Sequence, residues 1–441
     1  MFRKILLSIA VVLSACTNVE DVVLPFASSN EKATEFFNKG RNHFDQGEWQ
    51  EARDNFQAAL RVDPNFIMAN LWGWSQDPVQ TRRYRETAVA NKENANDAEK
   101  IMIEMHEAAM EGKSSKRLEL IKELVNKYPT SSEAYVLLGN VYTGQDKLDE
   151  AIDSYEKAIS INPDNYNAWK QLARHHIVIG NNNMLPKDRQ DKSKAVKYAE
   201  EMLRIRPKAP NAHQYRANIE RQDSNFDEAN ELYQRMVDVC NETGSTAKST
   251  ALIISAHNLL FSGQLQNSMT RYDEAIAISE SPQTAHNLKL YKAVANLFYD
   301  KYYDGLAVLN EMMEDVSETS ASQEAVNGNT AQIYWNMMMM QAHNQQKSDA
   351  LKSLNQWKKY RKIDLDMSKE REVDGYNASN YAMEAWMHTL FGDYDKAKSQ
   401  LEKHYEIAKT WESAGAFDNY NGIYGMVYVM EGNPSKALEY F

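Results

Sequence analysis

The sequence predicts an all-α protein in which antiparallel helix pairs stack into a solenoid. Apolar residues recur at spacings of three and four through most of the 441 residues, which is the period of amphipathic helices. Small residues alternate with large ones on these faces, and a unit of 34 residues recurs along the chain. Because a helix pair of this length cannot bury its apolar face alone, neighbouring pairs must complete the core.

The clearest copy of the unit spans residues 132–165, and Pro163 ends its second helix. Its large and small residues occupy fixed places, namely Tyr135, Leu138, Gly139, Tyr142, Ala151, Tyr155 and Ala158. This pattern resembles the tetratricopeptide repeat, with Tyr in place of the usual Trp and Phe. The resemblance implies a right-handed superhelix whose concave face is lined by the first helix of each repeat.

The N-terminus has the pattern of a secretory leader. Residues 1–15 carry a basic start followed by a short apolar stretch, which is too short for a membrane-spanning helix. The leader ends in Leu-Ser-Ala-Cys, which resembles the bacterial lipobox and implies a lipidated Cys16. The alternatives are an ordinary leader or a fortuitous cysteine.

The expected location is the bacterial cell envelope, with a lipid anchor. Thr17 follows the cysteine, and by resemblance to sorted lipoproteins this favours the outer membrane, on either its periplasmic or its surface face. Residues 16–30 are expected to form the lipidated cysteine and a solvated linker. Glu20 and Asp21 resemble the acidic export signals of some surface lipoproteins.

Residues 31–316 are predicted to form an N-terminal solenoid. A first repeat runs from Ala33 to Phe66, and two irregular helices are expected over 67–97, where Asp77 and Pro78 interrupt the pattern. Later units start near Tyr166, Pro210, Ser249 and Gln283. A polar insertion near 181–190 is expected to protrude as a surface loop, or alternatively to contact a partner.

Residues 317–441 are predicted to form degenerate helical repeats. Ser317 to Asn329 is rich in Ser, Glu and Asn, and this composition predicts a loop. Better repeats begin at Ala378 and Asp418, and the last is expected to end within its second helix at Phe441.

Charge and motifs exclude several classes of function. The formal net charge is −12, and removing Arg3 and Lys4 with the leader leaves 48 basic against 62 acidic side chains, or −14, which disfavours nucleic-acid binding. No familiar catalytic, phosphate-binding or paired-cysteine motif occurs, so we expect neither an enzyme nor a cofactor. His43, His176 and His388 fall on packing positions, and Met337–Met340 covers every face of a helix, so core packing is favoured over a metal site. Cys240 is expected to be a buried free thiol.

The candidate binding residues lie on the predicted concave face. The repeat register places polar and basic side chains there in an acidic protein, and amide and guanidinium groups can hold the backbone or carboxylates of an extended peptide. These residues are Asn140, Lys170, Arg174, Gln214, Asn218, Arg221 and His257. An ordinary solvated surface is the alternative interpretation.

The sequence therefore predicts a membrane-anchored scaffold that binds a protein or peptide partner of the cell envelope through a concave groove. The alternative is a glycan-binding outer-membrane lipoprotein of the starch-utilisation type, which combines a lipidated cysteine with similar repeats. Eight Trp and 24 Tyr residues are compatible with that alternative.

Overall fold

The computed structural model describes residues 20–177 and 185–440, and within them the chain forms α-helices and no β-strand. The helices are α1 Glu31–Gln46, α2 Trp49–Val62, α3 Ile67–Trp72, α4 Pro78–Ala90, α5 Asp97–Met110, α6 Ser114–Lys127, α7 Ser132–Thr143, α8 Leu148–Ile161, α9 Tyr166–His176, α10 Lys192–Ile205, α11 Pro210–Gln222, α12 Phe226–Thr243, α13 Lys248–Phe261, α14 Leu265–Ala277, α15 Pro282–Leu297, α16 Tyr302–Thr319, α17 Gln323–His343, α18 Lys347–Ile363, α19 Glu370–Leu390, α20 Tyr394–Ala408, α21 Asp418–Met430 and α22 Pro434–Ala437.

Consecutive helices pack as antiparallel pairs, and the pairs stack in chain order, which confirms the predicted right-handed α-solenoid. The apolar core is correspondingly a series of clusters along the chain instead of one central mass. Each helix pair packs one face against the preceding core cluster in the chain and the opposite face against the following core cluster.

A small residue faces an aromatic ring within the pairs α1–α2 and α7–α8, as the sequence predicts for the repeat unit. Gly139 of α7 lies directly against the ring of Tyr155 on α8. The Tyr155 side chain is fully buried, and its hydroxyl donates to the Asn140 side-chain oxygen (2.9 Å) and contacts the Thr143 hydroxyl (3.0 Å). The buried hydroxyl is thereby satisfied, which burial of a tyrosine requires.

The two irregular helices expected over 67–97 are α3 and α4. Asp77 caps α4 by accepting from the Val79 amide (3.0 Å), and Pro78 occupies the first helical position. Asp77 and Pro78 therefore mark the start of α4 as well as the interruption of the repeat pattern.

The loop predicted over 317–329 is wrong, because α16 continues to Thr319 and α17 begins at Gln323. Ser322 caps α17. The asparagines that suggested a loop are buried and face neighbouring helices. Asn327 donates to the Asp364 carboxylate, and Asn329 exchanges hydrogen bonds with Gln283.

The expectation of a solvated linker is wrong for residues 20–30, which pack against the first repeats. Leu24 and Phe26 are buried in the first core cluster. The Asp21 carboxylate accepts from the Ser132 amide (2.8 Å), the Ser132 hydroxyl (2.7 Å) and the Asn162 side chain (2.8 Å). We call residues 20–30 the docked segment. The predicted lipidation site, Cys16, lies outside the described residues.

The predicted insertion near 181–190 lies partly outside the described residues. Its described portion packs back onto the solenoid, because the Leu185 amide donates to the His175 carbonyl (2.9 Å) and the Leu185 side chain is buried. Arg189 pairs with Asp149 of α8.

Later repeats also contact the first ones across a polar boundary that we call the interturn seam. Glu51 of α2 accepts from the Thr246 amide (2.7 Å) and hydroxyl (2.6 Å), just before α13 begins. Three further contacts continue the seam: Gln50 to Glu280 (2.8 Å), Gln76 to Ser281 (2.6 Å) and Arg82 to Glu324 (2.9 Å). Arg371, at the start of α19, donates to the Ala109 carbonyl (2.8 Å). The superhelix is therefore wound tightly enough for one turn to lie on the next.

Over residues 20–177 and 185–440, no helix has both the length and the apolar character needed to cross a bilayer.

Candidate ligand-binding cleft

A large opening lies between the two sides of the interturn seam, and we call it the central cleft. Its volume is about 890 Å³. One wall consists of α13, α15 and α17, which are first helices of consecutive repeats, and the other consists of α2 and residues 74–76. The cleft is therefore the concave face of the later repeats, closed on one side by the first repeats.

The repeat register positions the side chains on the wall formed by α13 and α15. Thr250, Ile253 and His257 of α13 line the cleft. Each has a counterpart 34 residues later that also lines it, at Thr284, Asn287 and Tyr291. Concave positions of one repeat thus lie beside the same positions of the next.

The lining of the central cleft is nearly neutral, although a quarter of the chain is charged. Among the described residues that form it, only Arg53 and Glu280 carry a charge at neutral pH. Burial lowers the pKa of His257 to about 4, and Arg221 contributes further, so its imidazole is neutral there. Burial, together with Glu51 and Asp54, raises the pKa of Glu280.

Amide and aromatic side chains dominate this lining. The amides can donate and accept hydrogen bonds at once, and they come from both walls: Gln50, Gln76, Gln283, Asn287, Gln332 and Asn336. The aromatic rings are those of Trp49, Trp74, Tyr291 and Trp335, and two of them, Trp49 and Tyr291, are about half exposed. The central cleft can therefore bind an extended ligand through apolar contacts and uncharged hydrogen bonds.

His257 is the one predicted groove residue that lines the central cleft. Its ring lies edge-on to Tyr291 (5.2 Å between centroids) and to Tyr272 (5.8 Å). Among the described residues, no carboxylate forms a hydrogen bond or an ion pair with His257, and its neutral ring contributes an aromatic surface to the cleft.

The first repeat covers the concave face where Asn140 and Lys170 lie. The Lys170 ammonium is buried and donates to the Asp45 carbonyl (3.2 Å), at the end of α1, and it also lies 3.5 Å from the Asp45 carboxylate. Burial lowers the pKa of Lys170. Asn140 lines a smaller cavity of about 300 Å³ together with Arg41 and Phe44 of α1.

The remaining predicted groove residues lie between these two regions. Asn218 is buried and accepts a hydrogen bond from the Tyr233 hydroxyl. Arg221 lies over the rings of Tyr233 and Phe261, 5.8 Å from each centroid. Arg174 and Gln214 are partly exposed on α9 and α11. The structure thus does not gather the seven predicted residues into one site.

Sequence reasoning missed the amides and rings of α15 and α17. The signal for α15 was available, because adding 34 to the positions of α13 gives Thr284, Asn287 and Tyr291. No such signal was available for α17, because the long helix α16 and the turn after it shift the 34-residue register.

The run of methionines and Cys240 contribute to the apolar core. Three of the four consecutive methionines, Met337, Met338 and Met340, are buried in two core clusters. Cys240 is a buried free thiol, and burial raises its pKa to about 12. Within the described residues, no group of three or more His, Cys, Asp and Glu side chains is placed to hold a metal ion.

Two segments of the chain match the family model of the tetratricopeptide repeat, residues 33–66 and residues 132–165. Over 208 residues the chain is 23% identical to the mitochondrial import receptor subunit TOM70 of Mus musculus and to that of Rattus norvegicus. The match covers 47% of this chain and 29% of each relative, so the chain spans less than a third of the length of these relatives.

Solved structures with similar folds include other repeat proteins. A tetratricopeptide repeat protein from Parabacteroides merdae has a TM-score of 0.37 at 13% identity, covering 69% of this chain and 99% of that one. The Cut9–Hcn1 hetero-tetramer of the APC/C has a TM-score of 0.39 at 12% identity, covering 92% of this chain and 72% of that one. These likenesses are too distant to carry a functional argument.

The two matched segments coincide with α1–α2 and α7–α8, and both pairs show the interlocking of small and large residues described above. The chain therefore contains tetratricopeptide repeats, at α1–α2 and at α7–α8.

Proposed function

We propose that the protein is a scaffold whose central cleft binds an extended segment of a protein partner. Tetratricopeptide repeats are protein-interaction scaffolds, and such scaffolds are generally not enzymes. The proposed role is binding, with no chemical step.

One observation carries the proposal: concave positions of successive repeats line the central cleft with amides and rings. An extended backbone offers an alternating series of N–H and C=O groups, and amides such as Asn287 and Asn336 can pair with either. The exposed rings of Trp49 and Tyr291 can cover apolar side chains of the same segment.

The relatives give limited support. TOM70 is named as a subunit of an import receptor, and about half of this chain is similar to part of it. A scaffold that receives a polypeptide is compatible with that similarity.

Crosslinking in the native cell tests the proposed site. A photoreactive amino acid replaces Asn287 in the central cleft, and a control chain carries it at Lys352, whose side chain is 74% exposed on α18. We expect a discrete protein crosslink from position 287 and none of that size from position 352. Equal labelling from both positions, or no protein crosslink from 287, would contradict the proposal.

The proposed setting is the bacterial cell envelope, with a lipid on Cys16 as the anchor. The support is the sequence alone, through the lipobox-like Leu-Ser-Ala-Cys that follows a leader-like stretch. The variant Cys16→Ser should leave the membrane fraction and lose label from radioactive fatty acid. Continued labelling of that variant would refute the assignment.

A neutral glycan is the second candidate ligand of the central cleft. Half-exposed rings beside uncharged amides suit sugar rings and hydroxyls, and the near absence of charge favours a neutral ligand. Calorimetry with neutral oligosaccharides separates the candidates. Saturable sugar binding that Tyr291→Ala abolishes would favour the glycan, and its absence beside a protein crosslink at 287 would favour the scaffold.

A further inference from the structure

The central cleft continues into a second opening, which we call the side cleft. Its volume is about 620 Å³. Leu290, Gln332, Trp335 and Asn336 line both clefts, so the two form one continuous groove. The side cleft ends at α18, where Trp357, Tyr360 and Arg361 line it.

Arg361 is a partly buried cation without an anionic partner among the described residues. It forms no ion pair there, and its Nη1 atom is buried and makes no hydrogen bond. Its guanidinium lies 4.5 Å from the Trp357 ring centroid and 5.8 Å from that of Tyr376. Burial lowers the pKa of Arg361, because the desolvated cation is not neutralised. A buried unpaired charge is costly, and binding an anion would remove that cost.

The carboxylates in the side cleft have other partners. Glu324 forms a two-point ion pair with Arg82 across the interturn seam (3.0 and 2.9 Å). Asp364 accepts two hydrogen bonds from the Asn327 amide (3.2 and 3.0 Å). Of the described residues that line the side cleft, Arg361 is the only cation, and it remains available to a ligand.

We propose that Arg361 binds a carboxylate of the partner segment, so that the segment is acidic where it enters the side cleft. This inference rests on the proposed function, because it names the chemistry of the same ligand. The Trp357 ring holds the guanidinium in place before binding, and a fixed guanidinium suits the two oxygens of a carboxylate. Beside it, the buried Asn336 amide donates to the Gln332 carbonyl (2.9 Å), and its own oxygen accepts no hydrogen bond from a described residue. That oxygen can accept a peptide N–H.

Three short fluorescein-labelled peptides test the inference by fluorescence anisotropy. They share a sequence of Ala, Ser and Trp and differ only in carrying Glu, Gln or Lys at the alternate positions. The full chain should bind the Glu peptide about tenfold more tightly than the Gln peptide, as a desolvated Arg–carboxylate pair implies. The Lys peptide should bind most weakly.

Two arginine variants locate the effect. Arg361→Gln should remove the preference for Glu over Gln, whereas Arg83→Gln, at an exposed position on α4 outside both clefts, should keep it. Equal binding of the Glu and Gln peptides by the wild-type chain would overturn the inference. This comparison needs no variant, so it tests the inference even if the Arg361→Gln chain folds poorly.

Further outcomes separate the inference from the proposed function. A protein crosslink at position 287 without any preference for the Glu peptide would overturn the inference about Arg361 but not the proposed function. If neither the crosslink nor the preference is found, both the inference and the proposed function are overturned. Inorganic phosphate that displaces the Glu peptide at equal or lower concentration would also overturn the assignment, because the site would then bind phosphate.

Discussion

Small residues set the distance between paired helices at several points of the solenoid. A Cβ atom added to Gly40 would lie 2.8 Å from the Phe56 ring, and one added to Gly139 would lie 2.7 Å from the Cζ atom of Tyr155. Gly305 has the same relation to Met340. At Gly40 and Gly139 a methyl group would overlap an aromatic ring, so these two positions fix how closely the paired helices approach.

Gly139→Ala should reduce the free energy of unfolding by about 1–3 kcal/mol, because the new methyl group must displace a buried tyrosine. The matched control is Gly422→Ala on α21, where nothing lies within 4 Å of the added atom. There the better helix propensity of Ala should stabilise by up to about 1 kcal/mol. Urea denaturation measures both variants, and an increase in stability for Gly139→Ala would contradict the packing described for α7 and α8.

His43 and Glu48 form a pair whose stabilising effect depends on pH. The His43 Nδ1 atom lies 2.6 Å from the Glu48 carboxylate, and this hydrogen bond raises the pKa of His43. Burial of Glu48 opposes its ionisation, but the hydrogen bonds from His43 and Ser245 outweigh it and lower the pKa of Glu48.

The sign of the pH dependence follows for each group. The His43 contribution is complete below its ordinary pKa of 6.5 and is lost as pH rises through the raised value. The Glu48 contribution is present above its ordinary pKa of 4.5 and is lost as pH falls through the lowered value. His43→Asn should therefore lower the melting temperature most between pH 4.5 and 6.5, and less on either side. Melting curves across this range check the prediction, and a difference that does not vary with pH would contradict it.

At the scale of elements, the docked segment completes the core of the first repeats. The Phe26 ring is 3% exposed and meets Trp72 edge-on, with 6.5 Å between centroids. Asp21 ties the start of the segment to the start of α7. A short stretch without helix thereby adds apolar side chains to the core cluster that runs from the first repeat to α7.

Phe26→Ala should reduce the free energy of unfolding by about 3 kcal/mol, as expected for loss of a buried aromatic ring. Val23→Ala is the control, because Val23 is 78% exposed and its truncation should change stability by less than about 0.5 kcal/mol. Tryptophan fluorescence during urea denaturation measures both. Equal effects of the two substitutions would show that the docked segment does not pack as described.

The elements that sequence reasoning predicted are those with a local signal. The pairs α1–α2 and α7–α8 follow from spacing alone, since Gly139 and Tyr155 lie at fixed places in one unit. The start of α17 was misread because Asn327 and Asn329 resemble loop residues in composition. Their roles depend on Asp364 and Gln283, which are distant in sequence.

At the scale of the whole molecule, the interturn seam adds contacts between distant repeats to those between neighbours. Gln50 and Glu280 are 230 residues apart, and Arg82 and Glu324 are 242 apart. No periodic pattern in the sequence predicts such pairs, because they depend on the pitch of the superhelix. For the same reason the sequence predicted a concave face but not which part of it the first repeat covers.

Glu51→Ala should loosen the interturn seam, because Glu51 accepts the Thr246 amide and hydroxyl just before α13. We expect a larger radius of gyration in solution scattering and faster hydrogen exchange at residues 245–250. Asp54→Ala is the control, since Asp54 is exposed and its one hydrogen-bond partner among the described residues is Arg53, at 3.4 Å on the same helix, so it does not bond across the seam. If both variants scatter as the wild-type chain does, Glu51 does not hold the seam.

The docked segment also bears on how the protein would sit at a bilayer. Its first described residue, Glu20, precedes Asp21, which is hydrogen-bonded to α7, and Glu20 lies four positions after Cys16 in the sequence. Four residues reach at most about 14 Å. A lipid at that cysteine would therefore restrain the solenoid close to the headgroups, with the α7 end nearest the lipid, and would limit its rotation far more than a long flexible tether does.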